Sequence, residues 1–356
     1  MRGPASSSAC ALGALLLAGC LPAWWIARSA FLAVWLATWF YCLGIVLGGL
    51  ANVWIHTLTG GAWGEAIRAP LLQLGRMLPW LSVLFLPVLV GVSDLYPWAV
   101  DPIALAGEVE APGFKSVWLQ PEYFALRAMA LLVLWNLLAW ASRQPGLERS
   151  RGFAAAALVL YGFSISVAAV DWIMSLMPLW YSSSFGLLVA MGQILAGMAF
   201  AAIFAATAAL EAQVRRDIGN FLLAYVMTWA YLAFTQFLVI WSENLPHEIA
   251  WYVVRRDGGW LVLGVILAMV QFAAPLLLLL FRAVKDSPRR LAWTASGLLA
   301  AHLLDVWWLV LPSVPQMEGW QLTWLLPLSA AGLLALGYGL FPLTGGHREM
   351  RSAHHG

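Results

Sequence analysis

Charged residues are scarce in this sequence. Asp, Glu, Lys and Arg make up 10% of its 356 residues while 62% are apolar, against about 25% charged in an ordinary soluble domain. A water-soluble globule of this size needs more polar side chains than that to cover its shell, so the solvent is lipid. The net charge of +2 has no basic stripe or tail behind it, which excludes a polynucleotide partner. Cysteine is sparse too. Cys10, Cys20 and Cys42 form no CxxC and no CxxCH, so the chain by itself houses neither an iron–sulfur cluster nor covalent haem. H-E-x-x-H and a glycine-rich phosphate loop after a strand are missing. His56, His247 and His302 fall at different depths, which argues against a b-type haem. Any electrons must run on other chains.

What the sequence has is long apolar runs. A hydrocarbon layer about 30 Å thick takes about 20 residues of helix. Ten stretches fit, at 6–25, 31–55, 77–99, 122–141, 153–172, 183–210, 218–242, 259–281, 290–312 and 322–342. None alternates with the period of two that a barrel strand needs, so the reading is an all-α integral membrane protein of about ten transmembrane helices. Placing the N-terminus on one side puts fourteen of the 19 Lys and Arg there. Arg28, Lys115, Arg127, Arg255 and Arg256 remain on the other. The positive-inside rule makes the basic side cytoplasmic, with both termini on it.

The opposite face collects Asp94, Asp101, Glu108, Glu110, Glu122, Asp171, Glu243, Glu248, Asp257 and Glu318. It reads either as a docking surface or as plain hydration of the outer loops. The 22 tryptophans fall largely near span ends, as interfacial anchors do. Leu17-Ala18-Gly19-Cys20, after Arg2 and an apolar run, fits a bacterial lipoprotein signal with Cys20 lipidated at the outer face. An uncleaved first transmembrane helix fits it better.

Polar groups inside lipid are costly, so they are where function is sought first. His302 and Asp305 lie three apart on one helical face, either holding a proton between them or clamping helices together. Ser164, Asp171 and Ser175 share a stripe at the end of the fifth span, as a polar ladder or as a brace for the loop that follows. Thr228, Tyr231, Thr235 and Ser242 run along one side of the seventh span with Gln236 beside them, as a water wire or as interhelical glue. Asn136, Gln193 and Gln271 stand isolated.

Asp171-Trp172-Ile173-Met174-Ser175-Leu176, followed by Pro178, Trp180, Tyr181 and Ser182, resembles the DWxxSLxPxWYS signature of the ActF-type membrane subunit of alternative complex III. A second stretch is similar to the same family. It holds Asp217-Ile218-Gly219-Asn220, Trp229-Ala230-Tyr231, Phe234, Gln236, Trp241, Asn244-Leu245-Pro246, Glu248, Trp251-Tyr252 and Arg255. Gly60-Gly61-Ala62-Trp63-Gly64, Ile67-Arg68, Leu78-Pro79 and Leu86-Pro87 extend the likeness over most of 31–312. The chain departs from the pattern at Ala69-Pro70-Leu71-Leu72-Gln73, at Arg216 and at His247, where the family has an arginine with a glutamate, a histidine and a glutamate.

The resemblance, which extends to the NrfD- and PsrC-type subunits, implies one polytopic domain in the inner membrane of a bacterium. It implies a four-helix bundle over 31–172, a second over 183–312, and flanking helices at 6–25 and 322–342. It further implies a cofactor-free subunit of a quinol:cytochrome c oxidoreductase, with quinol as the substrate of the complex. Haem c and iron–sulfur clusters are then expected on partners: a multihaem cytochrome, an iron–sulfur protein and a sister ActC-type subunit that holds the quinol site. For this subunit a proton half-channel is implied, and the residues placed on it are Asp171, Ser175, Tyr231, Gln236, His302 and Asp305. Two other readings stand beside it. One is a quinol-binding NrfD-like anchor, marked by an apolar pocket open to lipid beside Asp171 or His302. The other is a secondary transporter, marked by broken helices around a mid-membrane site.

Overall fold

The structure is a computed structural model that describes residues 4–100, 117–208, 210–314 and 319–341. No strand occurs among the described residues, and nine helical segments there are long and apolar enough to cross a membrane. The chain is an all-α integral membrane protein. Arg2, Asp101, Glu108, Glu110, Lys115, Glu318, Arg348 and Arg351, used above to set the two faces, lie outside the described residues.

The first helix, α1 (Pro4–Cys20), is followed by a short α2 (Pro22–Ile26) and by α3 (Arg28–Thr59), the hub of the fold. Apolar all round, α3 is buried along nearly its whole length. Gly60 and Gly61 take positive φ in the turn that reverses the chain into α4 (Ala62–Leu74).

The third span starts at Ala62 rather than at 77, and it is broken. After α4 come a 3₁₀ turn at Gly75–Met77, then α5 (Leu78–Val83), α6 (Leu86–Val90) and α7 (Val92–Leu95). Pro70, Pro79 and Pro87 each remove a backbone donor from this segment. Two tryptophans of α3 supply replacements. Trp39 donates its indole N–H to the Leu81 carbonyl and Trp35 to that of Leu84, each at 2.8 Å. In lipid such freed carbonyls have no other donor than protein.

Next come α8 (Pro121–Ala141) and α9 (Arg151–Trp172), the latter capped by the Ser150 hydroxyl accepting from the Phe153 N–H. Helices α3, α4 with α5, α8 and α9 are neighbours in one ring. A second ring is made by α10 (Phe185–Thr207), α11 (Ala212–Glu243), the pair α13 (Trp260–Leu267) and α14 (Ala274–Leu280), and α16 (Pro288–Val310). Short helices α12 (Pro246–Val253) and α15 (Arg282–Asp286) connect its members. The last helix, α17 (Gly319–Leu340), lies along α1 and against α3.

The two rings meet where α3 crosses α10, and glycine makes that crossing possible. A Cβ on Gly48 would overlap the Gln193 carbonyl, and one on Gly197 would overlap the backbone of Gly48 and Gly49. Backbone cannot swing aside as a side chain can. Gly197→Val is expected to cost about 1–3 kcal/mol or more by overpacking. The check is a lower thermal midpoint of the detergent-solubilised chain, with Gly297→Ala, where nothing lies within 4 Å, as the neutral control.

Tryptophans divide between two roles. Trp25 and Trp241 face outward as interfacial anchors do, but Trp98, Trp172, Trp180 and Trp251 are inside the protein. Trp172 packs among Trp39, Phe85 and Trp135 with ring centroids 4.7–5.7 Å away.

Candidate functional site

Asp171 closes α9 and its carboxylate side chain is fully buried. Arg127 donates from Nε to Oδ2 at 2.5 Å, and Trp118 donates from Nε1 to Oδ1 at 2.6 Å. The Arg127 guanidinium also donates to the Trp118 carbonyl at 2.8 Å and stacks over that indole at 4.1 Å. Ser175 donates to the Asp171 backbone carbonyl rather than to the carboxylate. Tyr96 donates to the Trp172 carbonyl at 2.9 Å. The group is saturated and ties together the start of α8, the end of α9 and the segments around 96 and 118.

The stripe predicted for Ser164, Asp171 and Ser175 is therefore not a continuous ladder. The helix ends at Trp172, and Ser164 is occupied locally, accepting from Trp135 at 2.8 Å and donating to the Tyr161 carbonyl at 3.2 Å. Asp94 is likewise paired, with Arg28 at 3.2 Å. These two acids contribute less to an outer acidic face than their positions in the sequence imply.

His302 and Asp305 sit on α16, both buried, with Nδ1 and Oδ2 3.6 Å apart. That is too long for a hydrogen bond. The carboxylate instead accepts from the Gln271 Nε2 at 3.2 Å. Among the described residues, neither imidazole nitrogen of His302 nor the Gln271 Oε1 has a hydrogen-bond partner. The His302 ring faces Tyr41 of α3 at 5.8 Å and lies against α10 at Gly192, where a Cβ would come within 3.1 Å of it.

Gln271 reaches Asp305 from a π-helical turn, Ala268–Ala273, inside the eighth span. Pro275 has no N–H for the Gln271 carbonyl four residues earlier, and the helix widens at that point. The sequence pattern left Gln271 isolated. Its one signal was the proline four residues downstream.

Beside Asp305 is a cavity of about 670 Å³ between α11, α13 with the π turn, and α16. Gln236, Tyr252 and Asp305 are polar members of its wall, and Trp229 and Trp308 are aromatic ones. It reaches the lipid-facing surface at Met227, Tyr231 and Phe234. The chain comes back over the cavity for a local reason. Asn244 ends α11 in the left-handed region (φ 51°), Pro246 opens α12, and α12 then returns Tyr252 to the cavity wall that Gln236 also lines.

Of the six residues placed on a proton path, Tyr231, Gln236 and Asp305 line this cavity and His302 lies 3.6 Å from Asp305 on the side of Tyr41 and Gly192, while Asp171 and Ser175 belong to the separate brace. Tyr231 is 67% exposed, toward lipid. The hydroxyls of Thr228 and Ser242 bond their own helix, to the Ala224 and Val239 carbonyls, and form no wire. A link between the two groups runs through the loop at 182–184. Ser182 donates to the Gln236 Oε1 at 3.1 Å.

In the sequence Arg255 is both an outer positive charge and the last residue of the second stretch. It is buried, donating to the Trp251, Trp308 and Leu309 carbonyls and to the Ser313 hydroxyl at 2.7–3.1 Å. Its guanidinium also lies 3.3 Å over the Trp251 ring. Burial pulls the guanidinium well below its ordinary range, with Tyr252 beside it working the other way. The arginine thereby supplies donors to the last carbonyls of α16, close to Asp305.

Cys20 lies in the last turn of α1, 1% exposed, with its thiol donating to the Leu16 carbonyl. At the opposite end of the bundle from Asp171, Glu65 pairs with Arg149 at 2.6 Å and Arg216 with Asp286 at 2.5 Å.

No protein-family model and no curated protein matches the chain.

Proposed function

We propose that this chain is a cofactor-free membrane subunit of a respiratory quinol:cytochrome c oxidoreductase of the alternative complex III type. In this reading it is a scaffold in a bacterial inner membrane and carries part of a proton path. The observation that supports it is the meeting of the two signature stretches. Trp180 of the first stacks on Trp251 of the second with centroids 4.2 Å apart and planes 17° from parallel, and Ser182 of the first bonds Gln236 of the second. Residues 54 and 71 positions apart thus build one end of the molecule, next to Arg255 and above Asp305. A partner docking there would sit over the buried Asp305 carboxylate and His302 imidazole.

In this assignment the electron carriers, haem c and iron–sulfur clusters, reside on a multihaem cytochrome and an iron–sulfur protein, with a sister ActC-type subunit in the membrane. The basic end, with Arg149, Arg215 and Arg216, faces the cytoplasm, as do both termini. The breaks in the third and eighth spans are 3₁₀, π and hydrogen-bonded turns rather than the unwound segments a transporter site uses.

Affinity purification of the tagged full-length chain from mild detergent tests the assignment. Recovery of a multihaem cytochrome and an iron–sulfur protein in fixed ratio is the expected result. A chain purified repeatedly without either would end the proposal.

A further inference from the structure

We infer that the groove between α14 and α16 holds an anionic phospholipid, with the phosphate on Arg290 and the acyl chains lying along α16. The inference rests on the membrane fold, and on the proposed orientation only for the leaflet, which is the cytoplasmic one. It does not depend on the assembly proposed above.

The groove has a volume of about 610 Å³, and small residues hollow it out. Ala274, Gly297, Ala300 and Ala301 are in its wall, and nothing lies within 4 Å of where a Cβ on Gly297 would stand. Ile266, Val270, Leu278 and Trp293 line it too and are exposed, so it opens sideways to lipid. Along α16 it extends from Arg290 to Leu304, fourteen residues or about 21 Å. One leaflet with its head groups is about 20–22 Å deep. The groove thus has the length of one lipid from head group to chain end. Trp293 stands three residues in from Arg290, at the level where interfacial tryptophans sit.

Charge decides which lipid it is. Arg290 lines the groove, Arg289 precedes it, and Arg282 is two residues from Val284, another member of the wall. All three arginines are exposed. Asp286, the one carboxylate of 282–290, is taken by Arg216, and Lys285 is turned to Asn220. Among the described residues this leaves Arg282, Arg289 and Arg290 without an ion pair, at the mouth of an apolar groove. A phosphate brings both the missing charge and several acceptor oxygens in one group. Basic pockets between transmembrane helices at the cytoplasmic face bind lipid head groups this way, each arginine contributing about fivefold. A zwitterionic phospholipid offers the same phosphate but adds an ammonium that the arginines repel. The cavities beside Asp305 and beside Tyr41 have neither Lys nor Arg among their described lining residues and so make no such selection.

The test is photolabelling of the full-length chain in phosphatidylcholine nanodiscs by phosphatidylglycerol that carries a diazirine on one acyl chain, mapped by mass spectrometry. Label is expected on peptides covering 266–278 or 293–304, at least fivefold above that from a phosphatidylcholine with the same diazirine. Arg289→Gln combined with Arg290→Gln should cut it about tenfold or more. Gly297→Phe, which fills the groove from α16, should cut it at least fivefold. Should the double variant fold poorly, salt at 1 M serves in its place on the unaltered chain. The screening length then falls to about 3 Å, and most of the preference for the anionic probe should vanish. Equal label from both probes would make the groove a passive acyl-chain surface and overturn the inference. So would absence of label from these peptides, or label undiminished in the double arginine variant at wild-type thermal stability. Recovery of partner subunits has no bearing on these labels, so the lipid site and the subunit assignment fail separately.

Discussion

Arg127→Ala is expected to destabilise the protein by about 3–5 kcal/mol, because it strands the buried Asp171 carboxylate without its counter-charge. Trp118 would still donate to the other oxygen, but a single indole N–H does not compensate an anion inside the protein. Arg127→Lys should recover only part of the loss. An ammonium cannot donate to Asp171 and to the Trp118 carbonyl in one plane while stacking on the indole. Arg127→Met combined with Asp171→Leu should be milder than Arg127→Ala alone, since it removes both desolvated charges at once. Thermal unfolding in detergent and a native gel of the purified complex read these changes. A wild-type midpoint and intact assembly for Arg127→Ala would contradict the brace. The same series separates bracing from proton transfer at Asp171, because a relay would lose turnover and keep its midpoint.

Asp305→Asn is expected to do the opposite, leaving assembly intact and lowering proton-coupled turnover tenfold or more. Asparagine has the shape of aspartate and its Oδ1 can still accept from Gln271, but it cannot gain or lose a proton. His302→Gln should act in the same direction, as the imidazole is the nearest titratable neighbour at 3.6 Å. Gln271→Leu would remove the hydrogen bond that orients the carboxylate, so it should lower turnover less than Asp305→Asn does. The measurement is oxidation of added quinol by the complex in proteoliposomes, with an entrapped pH indicator. Unchanged turnover and an unchanged pH response in Asp305→Asn would reject a relay at this position.

The composition and the length of the apolar runs determined that the chain is an all-α membrane protein, and most of the span positions followed from them. Local chemistry sets the helix ends. Ser150 and Ser287 cap α9 and α16, Gly60 and Gly61 turn the chain, and Asn244 with Pro246 ends one helix and begins the next. The pairing of His302 with Asp305 needed only their spacing on one helix.

Which way each helix faces was decided by tertiary structure alone. In water a polar stripe marks the outer face of a helix, but in lipid the outside is as apolar as the inside, and periodicity loses that information. Tyr231 and Gln236 thus read as members of one side, although one is exposed to lipid and the other is buried. Gln271 and Asp305, 34 residues apart, meet inside the second ring at a π turn of the eighth span, and the glycines of α3 and α10 let the two rings close together. Close approach, not hydrophobicity, sets the rotation of these helices, and it depends on pairs of residues distant in sequence.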